Sequence, residues 1–79
     1  MKFLINSESG KAVNLNNVAE ICVSNNYLVL TTEGGQYARD MRFIYGTEDN
    51  LRRLFSKVME FLANDEKTLD CHEFLAGLR

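Results

Sequence analysis

The sequence predicts an α+β domain: an antiparallel four- to five-stranded β-meander packed against one long C-terminal helix, followed by a short terminal helix. Three observations carry this. The pairs Asn25-Asn26 and Gly34-Gly35 separate runs of strand-forming residues, apolar residues recur at helical spacing from Leu51 to Leu62, and a shorter stripe runs from Cys71 to Leu78. At 79 residues, 46% hydrophobic and 25% charged, the chain has room for one modest core. We therefore expect a single domain over residues 1–79, with sheet in 2–45, helix in 47–64 and a short helix in 70–78.

Phe3–Asn6 reads as a first strand that turns through Ser7-Glu8-Ser9-Gly10. A three-residue loop, Asn16-Asn17-Val18, would set Val13 opposite Ile21 and Leu15 opposite Ala19. Asparagine tolerates the positive φ of a two-residue hairpin, so a turn at Asn25-Asn26 sets Val23 opposite Leu28 and Ile21 opposite Leu30. A turn at Gly34-Gly35 sets Leu28 opposite Met41 and Thr32 opposite Tyr37, which puts Phe43 and Tyr45 on the same core face. The outer face then carries Cys22, Ser24, Tyr27, Val29, Thr31, Ala38, Asp40, Arg42 and Ile44. Arg39 falls on the core face opposite Leu30, either snorkelling at a sheet margin or marking a bulge.

Thr47 is placed to cap the long helix, with Glu48 and Asp49 where the helix dipole favours negative charge. Leu51, Leu54, Phe55, Val58, Met59 and Leu62 form its apolar stripe, and Phe61 lies off it. Asp70 with Glu73 reads as the capping arrangement of the last helix, whose packed side holds Cys71, Phe74, Leu75 and Leu78.

Composition excludes several function classes. The net charge is −2 with no concentrated basic run, so the footprint of a phosphate-backbone binder is missing. No apolar stretch approaches the roughly 18 residues of a membrane span, and Met1–Ile5 is too short for a secretory signal; the expectation is a cytoplasmic chain without membrane contact, its two cysteines free thiols. Asp70-Cys71-His72-Glu73-Phe74 resembles the exit of a calcium-binding EF-hand loop, but with Glu73 last, Leu62 would stand first and Lys67 at the glycine. Cys71 and His72 point about 100° apart on a helix, so the ring cannot activate its neighbouring thiol. No zinc spacing, phosphate-binding glycine loop or nucleophile elbow occurs. We expect no metal, no cofactor and no catalysis.

The outer face is too apolar for a purely solvated one and too mixed for a second core. Either the C-terminal helix folds over it, or it meets a partner. The candidate contacts are Tyr27, Val29, Arg42 and Ile44, with Phe74, Leu75 and Leu78 as docking or dimerisation residues. The expected function is a non-catalytic protein–protein interaction module that self-associates. The alternative is a single-stranded nucleic-acid binder stacking bases on Tyr27 beside Arg42.

At Gly10-Lys11, Leu15-Asn16, Leu30-Thr31 and the long helix, over roughly residues 10–62, the chain resembles the small FlbD-like proteins of flagellar operons. It is also similar in form to short phage or mobile-element proteins built as a β-meander and a helix, anti-CRISPR inhibitors among them. The resemblance implies hairpins followed by a helix and a small inhibitor or adaptor, and it assigns no functional residue.

Overall fold

The computed structural model describes residues 1–32 and 39–79. The Gly34-Gly35 turn, the Thr32–Tyr37 pairing and Ala38 lie outside the described residues. In chain order the elements are β1 (Phe3–Asn6), β2 (Lys11–Asn14), a 3-10 turn (Leu15–Asn17), β3 (Val18–Ser24), β4 (Tyr27–Thr32), β5 (Arg39–Tyr45), α1 (Glu48–Ala63), β6 (Thr68–Asp70) and α2 (Cys71–Ala76). The α+β class holds. The single meander does not: the strands form two three-stranded sheets, ordered β2-β1-β6 and β3-β4-β5.

The break falls where the sequence suggested a simple loop. The Asn14 side chain accepts from the Asn16 N–H at 2.9 Å and starts a 3-10 turn, which redirects the chain before β3. Val13 therefore pairs with Leu4 in the first sheet and not with Ile21. The third strand of that sheet comes from the far end of the chain, since β6 runs parallel to β1 with Leu4 opposite Leu69.

Lys2 fixes this closure. Its ammonium donates to the carbonyls of Phe61 (2.9 Å), Asn64 (2.6 Å) and Glu66 (2.5 Å) and lies 4.5 Å from the centre of the Phe61 ring. A cation is thus held among carbonyls at the C-terminus of α1, where backbone acceptors lack helical partners and the dipole is negative. The neighbouring Phe3 N–H donates to Lys67 O at 2.9 Å, beginning the β1–β6 ladder.

In the second sheet the β3–β4 hairpin follows the expected register, with Val23 opposite Leu28 and Ile21 opposite Leu30. Asn25 and Asn26 take φ of 50° and 65°, the left-handed pair that matches the twist of a two-residue hairpin. Leu30, not Leu28, faces Met41, so β5 is displaced by two residues along β4. A two-residue shift preserves every face, and parity cannot distinguish the two registers. Arg39 consequently lies opposite Thr32 and is exposed.

A bulge then reverses the faces at the end of β5. Val29 pairs with Arg42 and Leu28 with Ile44, leaving Phe43 as the extra residue. Phe43 and Ile44 are both buried, whereas Tyr45 is 66% exposed. Ile44 therefore belongs to the core and not to the outer face, and Tyr45 makes the opposite exchange. The Phe43 carbonyl accepts from Asn6 Nδ2 at 3.0 Å, tying this sheet to β1, while Asn6 Oδ1 accepts from the Glu8 N–H. Asn6 is the one buried polar residue among those described.

α1 begins and ends as its caps dictate. The Thr47 side chain accepts from the Asn50 N–H, Asn64 closes the helix, and Glu48 pairs with Arg52 at 2.7 Å. Its buried residues are Leu51, Leu54, Val58 and Phe61, while Met59 and Leu62 are 39% and 43% exposed. The packed face is thus rotated from the expected stripe toward Phe61, the ring that Lys2 covers. Gly46 leads into the helix close against it: a Cβ there would lie 3.2 Å from the Leu51 side chain.

α2 is shorter than the expected 70–78 and packs against α1 and β1, not over the β3-β4-β5 sheet. The Asp70 carboxylate caps it by accepting from the His72 and Glu73 N–H groups. Burial raises the Asp70 carboxyl, but hydrogen bonds from the Ser7 side chain and from the backbone of Glu73, Ser7 and His72 outweigh that, and the group titrates below its ordinary range. A depressed folded-state value means the stabilisation is complete above about pH 4 and is lost as pH falls through that lower value. In Asp70→Asn, which keeps a capping oxygen but no charge, the urea midpoint should fall less steeply with acid than in the wild type. Parallel acid limbs for the two proteins would show that the carboxylate contributes nothing there.

Candidate interaction surface

The outer face of β3-β4-β5 is built by alternation from β3 (Glu20, Cys22, Ser24), β4 (Tyr27, Val29, Thr31) and β5 (Asp40, Arg42), with Tyr45 added by the bulge. At one end Tyr27 and Tyr45 face each other across the strands, their ring centres 5.4 Å apart and their planes at 68°. This is the edge-to-face arrangement that aromatic quadrupoles favour. The Arg42 guanidinium lies 5.4 Å from the centre of the same Tyr27 ring. At the other end Thr31 Oγ1 donates to Asp40 Oδ1 at 2.8 Å. Between them is an open hollow of about 420 Å³ whose floor includes Cys22 and Val29.

The structure brings Tyr27, Val29 and Arg42 together here, and Ile44 is not among them. Tyr45 is the residue sequence reasoning missed. Its signal was the adjacent apolar pair Phe43-Ile44, which interrupts alternation as a bulge does.

Phe74 and Leu75 are half-buried against the chain's own core, and Leu78 is half-buried at its end. Cys71 is fully buried, and burial first, then the adjacent Asp70 charge, pushes its thiol up to about 12. It is unreactive at neutral pH. His72 turns away from it, Nδ1 lying 3.4 Å from Glu8 Oε2. Both cysteines are free, and no group of three or more metal-binding side chains occurs among the described residues. No helix among them is long and apolar enough to cross a membrane.

No family model, curated protein or solved structure matches this chain.

Proposed function

We propose that the chain is a non-catalytic, self-associating protein-interaction module of the cytoplasm, and that it grips another protein through the Tyr27–Arg42–Tyr45 end of its outer sheet face. The observation that supports this is the placement of α2. The terminal helix docks on α1 and β1, leaving Arg42 and Tyr45 exposed and Tyr27 half-buried beside them on the outer sheet face. Tyrosine and arginine are the residue types that carry most binding energy at protein interfaces. A small inhibitor or adaptor of the phage or mobile-element kind is the biological form we propose for such a module.

One observation favours a second reading. Tyr45 doubles the outward aromatic surface, and two rings beside a guanidinium can stack unpaired bases. Two assays on the wild type and a Tyr27→Ala/Arg42→Ser variant separate the readings. The interaction module predicts capture from host lysate of a protein that the variant loses, by an association nearly indifferent to salt. The alternative predicts oligonucleotide binding that weakens steeply between 50 and 200 mM salt. A chain that binds neither has no use for this face.

A further inference from the structure

The β3-β4-β5 sheet ends on β3, whose other edge pairs with no strand among the described residues. In a two-residue hairpin the residues flanking the loop exchange both hydrogen bonds, so Ser24, Cys22 and Glu20 direct theirs to β4. Val23 and Ile21 then aim N–H and C=O outward. Natural edge strands are blunted by proline, lysine or inward charges, and Val18–Ser24 carries none of these, only Glu20. Its one irregularity, the bulge between Val18 and Glu20, leaves Glu20–Ser24 as a regular edge of five residues. Alongside runs an open groove between β3 and α1, with Ile21, Val23 and Phe55 as its apolar wall, Arg52 and Ser56 on its α1 rim, and Met59 and Leu62 extending it.

We propose that this edge pairs with the same edge of a second copy, antiparallel about a two-fold axis through Cys22. The inference rests on the self-association part of the reading above and names where it occurs.

The segment is self-complementary in this register. Ile21 lies opposite Val23 of the second copy, twice, on the groove face, and these are the residues with outward backbone groups, giving four main-chain hydrogen bonds. Glu20 meets Ser24 of the second copy, so no like charges oppose. The two sheets become one of six strands. Five regular residues centred on Cys22 fit this register, whereas an axis through Ile21 would run the pairing into the bulge. Cys22 then faces its own copy as a non-hydrogen-bonded pair, with Cα atoms about 4.5 Å apart, within the 4.4–6.8 Å span of a disulfide. With the axis at Ile21 the two Cys22 residues would be diagonal, about 7–8 Å apart and out of reach.

Sedimentation equilibrium of the reduced wild type, from 1 to 500 μM, should show a reversible dimer. Diamide, which takes up the two protons and two electrons released when two thiols become one S–S bond, should convert it to a covalent dimer through Cys22. Cys22→Ser should still dimerise but resist cross-linking. Val23→Pro removes an outward donor that β4 does not use and should yield a monomer. Because proline can also perturb folding, Ser56→Glu, an exposed change in the groove wall, provides a second test. It should raise the dissociation constant at least tenfold with an unchanged circular dichroism spectrum. A monomer at every concentration overturns the proposal, as does a dimer indifferent to both Val23→Pro and Ser56→Glu. A monomer that still captures a partner through Tyr27 and Arg42 overturns this inference and leaves the interaction reading standing.

Discussion

Phe61→Ala should destabilise the protein by about 3–5 kcal/mol, the usual range for truncating a fully buried aromatic. A chain of this length has roughly 4–12 kcal/mol in total, at about 0.05–0.15 per residue, so the variant should be partly unfolded at 37 °C. The neighbouring Leu62→Ala should cost about 1 kcal/mol or less, since the side chain is only partly buried and its truncation leaves no enclosed cavity. The contrast follows from burial: Phe61 is wholly inaccessible while Leu62 is 43% exposed in the groove beside β3. Truncating Phe61 also removes the ring beneath the Lys2 ammonium, so its cost includes a cation–π contact as well as a cavity. Urea midpoints of the two variants check this. Equal losses at both positions would mean that α1 turns its Leu62 face to the core.

The same pair of residues shows where sequence reasoning reached its limit. Asn25-Asn26, Thr47 and Asp70 were legible because each acts within three residues of itself, on a turn or a helix end whose stereochemistry is local. The class, the β3–β4 register and the bounds of α1 follow from such signals. The rotation of α1 does not, because Leu51, Leu54 and Val58 belong equally to an arc ending at Leu62 and to one ending at Phe61. Phe61 is the one that Lys2 covers, at the end of the helix where β6 pairs with β1, and that contact joins residues from the two ends of the chain. β6 has only three residues, too few for an alternation pattern, and its partner Phe3 is far away in sequence. On the outer face, parity carried Tyr27, Val29 and Arg42 correctly up to the bulge. Beyond it one inserted residue exchanged Ile44 for Tyr45.

The second large effect expected is at Lys2. Lys2→Met keeps the stem over the Phe61 ring but deletes the ammonium, leaving the carbonyls of Phe61, Asn64 and Glu66 without their shared donor. Hydrogen bonds to a charged group contribute about 1.5–3 kcal/mol, and because the three N–H donors belong to one ammonium their contributions are not additive, so a total near 2 kcal/mol is expected and not three times that. The loss should also be local before it is global. β6 is held by β1 along three residues, and Lys2 fastens the turn that delivers it. Hydrogen exchange should therefore quicken first at residues 67–70 in Lys2→Met, while the β3–β4 hairpin keeps its protection until the whole protein opens. Because the buried Cys71 follows β6 directly, α2 should loosen with it and its thiol should become accessible to alkylation. A Lys2→Met protein with wild-type exchange at residues 67–70 would show that water serves those carbonyls equally well, and that the parallel pairing of β6 with β1 holds the C-terminal segment without the lysine.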